Sequence, residues 1–145
     1  MALVVVVDYG MGNLRSVEKA LGHVGTSDVI KVSGDPADIA KADKIVFPGQ
    51  GAMPDCMREL ESRKLIEPIR IASAKKPFLG ICIGLQLLFE CSAEGGVDGL
   101  GLISGEVRKF APNKLDEGGS KFKVPHMGWN TVDICHPHPI FEGID

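Results

Sequence analysis

Apolar residues first cluster at Leu3 to Val7, an unbroken, valine-rich run closed by Asp8, Gly10 and Gly12. A strand with no polar alternation has both faces buried, so this run predicts a central strand of a parallel sheet. Leu14, Val17, Leu21 and Val24 then recur at helical spacing, with Asn13 placed to cap the helix and Gly25 to end it. Two short runs, Asp28 to Val32 and Lys44 to Phe47, read as the next strands, the second entering the turn "PGQGA". Beyond Pro54 the pattern is helical as far as Lys76, with Pro68 expected to break or restart it. Phe78 to Ile81 predicts another strand, and Leu85, Leu88 and Phe89 give the following segment one apolar helical face. Strand and helix alternate throughout, so the fold class is α/β with a mostly parallel sheet flanked by helices.

The pattern changes after Ser92. Glycine and proline become frequent, and only Gly105 to Phe110 and Asn130 to Ile134 read as strands, with "PNKLDEGGSK" an exposed loop between them. The chain shows no fixed-period repeat. Its 145 residues suit one domain, 1–145, large enough to bury a core without staples. With 44% apolar residues but no run near the roughly 18 to 20 that a membrane span needs, the sequence predicts no membrane association. The start "MALVVVVDYG" lacks a basic segment and a cleavage site, so it reads as a strand and not as a secretory signal. A net charge of -3 and scattered basic residues offer nucleic acid no favourable field. Four cysteines, none in a C-x-x-C pair, fit free thiols in a reducing cytoplasm.

Candidate chemistry centres on "GICIG". A nucleophile at a sharp strand-to-helix turn crowds its neighbours, and Gly80 and Gly84 at two residues either side of Cys82 would relieve that crowding. The same turn would aim the Ile83 amide and a helix N-terminus at the reacting centre. The bare pattern also fits a buried core cysteine. "FPGQGAM" follows a strand too; it is either an ordinary turn or a second oxyanion donor from the Gln50 or Gly51 region. "DYGMGN" lacks the three-glycine spacing of a dinucleotide site, so no NAD or FAD is expected. Gln86, one turn after Cys82, could reach a polar substrate, though it and Glu94 suit solvated positions equally well. "CHPHP" holds soft ligands at close spacing without a complementary cluster, and no metal is expected. The base for Cys82 is not evident among His23, His126, His136 and His138; His126 is possible, but suits a structural role beside a turn.

Taken in order, "VVDYGMGNLRSVEKAL", "FPGQGAM", "PFLGICIGLQLLFECSAEG" and "VPHMGWNTV" resemble the class I glutamine amidotransferases, and among them the glutaminase subunits of imidazole glycerol phosphate synthase. The resemblance runs through essentially the whole chain. It implies a flavodoxin-like sheet and no cofactor, with Cys82 attacking the side-chain amide of L-glutamine. Gln50, Gly51 and Ile83 would form the oxyanion hole, while Gly49, Gln86 and Glu94 would hold substrate. It further implies a (β/α)8-barrel cyclase as partner, with Asn13 and Trp129 as contact residues. Gln50 stands where the family usually carries an apolar residue, which backbone donation would tolerate. The family's His-x-Glu base and acid follow the "PIFEGI" region, so the C-terminal part of the fold is expected to be missing from these 145 residues and the chain by itself to be inactive. Another class I glutaminase, or a non-catalytic flavodoxin-like interaction domain, are the competing readings.

Overall fold

The structure, a computed structural model, describes residues 1–111, 115, 119–121 and 128–143. The chain divides into two compact units, Met1–Lys109 and Phe110–Asp145.

The first unit holds a four-stranded sheet in the order β2-β1-β3-β4, from β1 (Leu3–Val7), β2 (Val29–Ser33), β3 (Lys44–Phe47) and β4 (Phe78–Gly80). Its pairings are all parallel: Val4 lies opposite Ile30 and Lys44, and Val46 opposite Leu79. β1 is buried on both faces because its side chains alternate between two cores. Val5 and Val7 join Ile45, Phe47 and helix residues Ile39, Met53, Cys56, Leu60 and Ile69. Val4 and Val6 join Val46 against Leu14, Val17 and Leu21 of α1 (Leu14–Val24). Fully burying each valine contributes roughly 1.5 kcal/mol or more, so β1 is the anchor of the sheet. Val24 departs from the predicted apolar face: it sits in the last turn of α1, 77% exposed.

The predicted helix after Pro54 is two helices, α3 (Met53–Ser62) and α4 (Ile66–Lys75). Pro68 lies in the first turn of α4, where a missing N–H breaks no intrahelical bond, so it restarts the helix and does not kink it. A further helix, α2 (Pro36–Lys41), was not foreseen. Asp35 caps it by accepting from Ala37 N at 2.8 Å, and Pro36 occupies its first turn.

The segment after Cys82 differs most from expectation. α5 is only Ile83–Gln86, and Phe89 opens strand β5 (Phe89–Ser92) instead of lying on a helix face. The amides of Leu100, Leu102 and Ile103 take the carbonyls of Leu87 and Leu88 at 2.7 to 2.9 Å, the acceptors that a longer helix would have used. β5 then pairs antiparallel with β6 (Val97–Asp98) and parallel with β7 (Ile103–Val107).

The predicted strand at Gly105 to Phe110 thus ends earlier and starts two residues sooner, as β7. Asn130 to Ile134, in the second unit, forms no strand; Asn130 Oδ1 accepts from Thr131 N at 2.9 Å and so occupies an amide that a ladder would need. A short 3₁₀ turn covers Pro139–Phe141. Among the described residues no helix is long and apolar enough to cross a membrane.

Candidate active site

The strand order reverses at β1: the chain steps out to β2, then crosses back over β1 to β3 and β4. In parallel sheets such a reversal opens a crevice at the carboxyl ends of the strands. The loops leaving β1 (Asp8 to Asn13), β3 (Pro48 to Ala52) and β4 (Ile81 and Cys82) therefore converge there. Gly12 and Gly49 show the approach, since a Cβ on Gly12 would lie 3.6 Å from Gly49 N.

Cys82 sits in the turn between β4 and α5 with φ 57° and ψ -121°. It shares positive φ with only Lys64 among the described non-glycine residues, and the conformation is strained for any side chain with a Cβ. Its thiol is free and exposed. The flanking glycines are needed for steric reasons. A Cβ on Gly80 would stand 2.8 Å from Leu85 Cα, and one on Gly84 would overlap the Phe47 carbonyl oxygen. The turn is pinned to β3 by Ile81 N donating to Phe47 O at 3.0 Å. The Ile83 amide, first of α5, has no intrahelical carbonyl to bond. Gln86 donates its backbone N–H to Cys82 O at 3.2 Å, and its side chain is half-buried one turn on.

Gly49 is packed flush against this elbow. A Cβ there would be 2.7 Å from Gly84 N, 2.9 Å from Ile83 Cβ and 2.7 Å from the Tyr9 hydroxyl. Gln50 and Gly51 follow on the exposed side of the loop, Gly51 with φ 100°. Tyr9 and Cys56, which the sequence did not single out, lie beneath them, both fully buried. Cys56 Sγ donates to Gln50 O at 3.6 Å. Tyr9 Oη has no partner that meets hydrogen-bond geometry, although Cys56 is near enough to perturb it. Burial pushes the Tyr9 phenol far above its ordinary value, and the Cys56 and Cys82 thiols push it the same way. Burial also raises the Cys56 thiol, so of these two cysteines the exposed Cys82 is the one open to attack on a ligand.

Glu94 is drawn to the same region from β5. Its Oε2 accepts from Met53 N at 3.3 Å, at the start of α3, where the helix dipole favours a carboxylate. Gly95 beside it packs on the Pro54 ring. The structure thus gathers Cys82, Ile83, Gly49, Gln50, Gly51, Gln86 and Glu94 within the first unit. Asn13 is exposed and caps α1, accepting from Ser16 N at 3.4 Å. Trp129 belongs to the second unit and is fully exposed. His23 lies in the last turn of α1; His136 and His138 are exposed in the second unit, where His138 Nδ1 accepts from Ile140 N. His126 lies outside the described residues.

The family model for glutamine amidotransferase class-I matches residues 5–145, from within β1 onward. The chain belongs to that family. Among curated relatives, it is 57% identical to the imidazole glycerol phosphate synthase subunit HisH of Aromatoleum aromaticum, over 99% of this chain and 68% of that protein. The subunit HisH of Nitrosospira multiformis is 54% identical with the same coverage. The 145 residues therefore span about two thirds of the length of these relatives. A crystal structure of a peptidase E-like protein from Listeria monocytogenes EGD-e superposes with a TM-score of 0.57 at 14% identity, covering 70% of this chain and 63% of that one, which speaks to the fold alone. The α/β class and the glutamine amidotransferase resemblance read from the sequence both hold.

Proposed function

We propose that this chain is the glutaminase subunit of an imidazole glycerol phosphate synthase of histidine biosynthesis, and that Cys82 is its nucleophile. The observation that carries the assignment is the strained Cys82 elbow packed flush against Gly49, with the Ile83 amide uncommitted beside it. The two HisH relatives, above 50% identical, favour this reading over other class I glutaminases and over a non-catalytic interaction domain.

The Cys82 thiolate attacks the side-chain amide carbon of L-glutamine, forming a C–S bond as the carbonyl becomes an oxyanion. The amides of Ile83 and of the Gln50 and Gly51 region stabilise that charge, an effect worth roughly 3 kcal/mol per donor in comparable sites. Collapse breaks the C–N bond as the leaving nitrogen takes up, through solvent, the proton that the Cys82 thiol gave up, so that it departs as ammonia and leaves a glutamyl thioester on Cys82. Water then hydrolyses the glutamyl thioester and frees the thiol. Gly49, Gln86 and Glu94 hold the substrate, and Glu94 must share its carboxylate between the substrate ammonium and the α3 amide. Within these 145 residues we assign the nucleophile and the oxyanion cradle, and we assign no base.

A cyclase with a (β/α)8 barrel would receive the ammonia, Asn13 and Trp129 being the contacts we assign. A cytoplasmic setting agrees with the free thiols Cys56, Cys82, Cys91 and Cys135. The test is labelling by a glutamine-like chloroketone. Saturable modification of Cys82, blocked by L-glutamine and sparing the other three cysteines, is the expected result. Equal labelling of Cys82 and the exposed Cys135 with no protection by glutamine would sink the assignment.

A further inference from the structure

Glu94, whose carboxylate is proposed to hold glutamine, projects from a turn fixed by a residue outside the proposed machinery. Ser92 is the last residue of β5, the middle strand of the three-stranded sheet. It lies opposite Val97 of β6 on one side and Val107 of β7 on the other, and the next amide, Ala93 N, donates to Val107 O at 2.9 Å. Held on both sides, Ser92 cannot shift along the sheet. Its side chain is buried, with 3% exposure, and a buried hydroxyl needs a hydrogen-bond partner. Glu94 supplies one: its backbone N–H donates to Ser92 Oγ at 3.1 Å.

The far end of the Glu94 side chain is also placed. Ala52, at the N-cap of α3, has no side chain able to cap the helix, so the Met53 N–H is among the amides left without an intrahelical acceptor. Glu94 Oε2 takes it at 3.3 Å, across 41 positions of sequence. Gly95, with φ 72°, continues the turn onto the same helix end, where a Cβ would stand 2.4 Å from Pro54 Cγ. Farther along, a Cβ on Gly99 would lie 3.2 Å from Met53 Cε. Glu94 itself is exposed, so a ligand can reach the carboxylate oxygen that Met53 does not use.

We propose that Ser92 is a positioning residue for the glutamine subsite: its buried hydroxyl holds the Glu94 amide and so fixes the turn that presents the Glu94 carboxylate at the start of α3 to the substrate ammonium. The substrate part rests on the reading above that Glu94 holds L-glutamine; the bond from Glu94 to Ser92 does not. A carboxylate on a loose loop would have to be ordered as substrate binds, which weakens affinity, whereas one ordered beforehand loses little. The sequence "CSAEGG" fits this use: a serine oxygen meets the amide two residues on, and Gly95 and Gly96 follow with φ 72° and 60° to lead the chain back into β6.

The test takes two readouts. Hydrogen exchange of the Glu94 amide reports the bond to Ser92. The L-glutamine concentration that halves alkylation of Cys82 by iodoacetamide reports the subsite, and the alkylation rate without glutamine reports the elbow. In the unsubstituted protein the Glu94 amide should exchange at least about tenfold more slowly than in an unstructured peptide. Ser92→Ala should remove that protection, leave the elbow rate as it is, and raise the half-protecting concentration about fivefold, the worth of one neutral hydrogen bond. Glu94→Ala should raise it about tenfold or more, as for a bond to a charged group. Adding Ser92→Ala to Glu94→Ala should then change nothing further, because a residue that acts through Glu94 has no effect without it, whereas a general structural role would add. A Glu94 amide exchanging at the peptide rate overturns the proposal. So does an additive double variant, or an unchanged half-protecting concentration in Ser92→Ala where Glu94→Ala raises it. Absent protection by glutamine, or protection unchanged in Glu94→Ala, overturns instead the substrate reading of Glu94, and the proposal falls with it. If Ser92→Ala does not fold, the unsubstituted protein carries the decision: by reciprocity, saturating L-glutamine should slow Glu94 amide exchange by about the same fivefold, and an unchanged rate refutes the proposal.

Discussion

Cys82 holds a conformation that costs roughly 1 to 3 kcal/mol for a side-chain-bearing residue. Cys82→Gly should therefore raise the free energy of unfolding, measured in urea, by about 1 kcal/mol while removing chloroketone labelling. Cys82→Ala keeps the Cβ and its strain, so it should lose labelling with stability unchanged. Gly84→Ala belongs at the other extreme: its Cβ would meet the rigid Phe47 carbonyl of β3, and a loss of about 3 kcal/mol is expected in the same titration. The glycine spacing around Cys82 was legible because a sharp turn makes a local demand on backbone space. Tyr9 and Cys56 were not legible. Their importance lies in meeting Gly49 and Gln50, contacts made through folding and not through spacing along the chain.

Elements followed the sequence where burial was one-sided or total. α1 and β1 have long apolar signatures and formed as expected. α2 was missed because its one buried side chain is Ile39, too little for a periodic signal; its cap is the better clue. Removing that cap with Asp35→Ala should destabilise the protein by about 1 kcal/mol in a thermal melt. The α5–β5 boundary is a contest for carbonyls, settled by the residues from Leu100 to Ile103 that reach Leu87 and Leu88 from downstream in the chain. Two carboxylates tie elements at the sheet margin. The Ala2 N–H and then the Lys44 ammonium hold Asp28 below the usual carboxylate range, and Lys31 with the Ser33 hydroxyl does the same for Asp38. A carboxyl whose folded value is depressed stabilises the fold above its unfolded value, near 3.9, and that contribution is lost as pH falls through the lower folded value. Unfolding midpoints followed from pH 6 downward, over roughly the range in which carboxylates protonate, should fall for the unsubstituted chain, and fall less for Asp28→Asn with Asp38→Asn.

At the scale of the whole molecule, the residues we propose as cyclase contacts, Asn13 and Trp129, are not among those we propose for the chemistry. Trp129→Ala should weaken partner binding in a titration by about tenfold, as for a buried aromatic anchor, without altering Cys82 labelling. Asn13 also caps α1, so Asn13→Ser, which retains the cap, is the variant that tests contact alone. The sequence by itself determined the parallel α/β class, the elbow and the family, because valine-only strands, turn glycines and an ordered set of motifs are written locally in the chain. Only the tertiary structure decided the strand order that opens the crevice, the end of α5, the seat of Glu94 on α3 and the thiol beneath Gln50. Each of these is a choice of partner between residues distant in sequence or hidden from solvent. A hydrogen-bonding group names what it can bond, but only the packed chain decides which of the possible partners it meets.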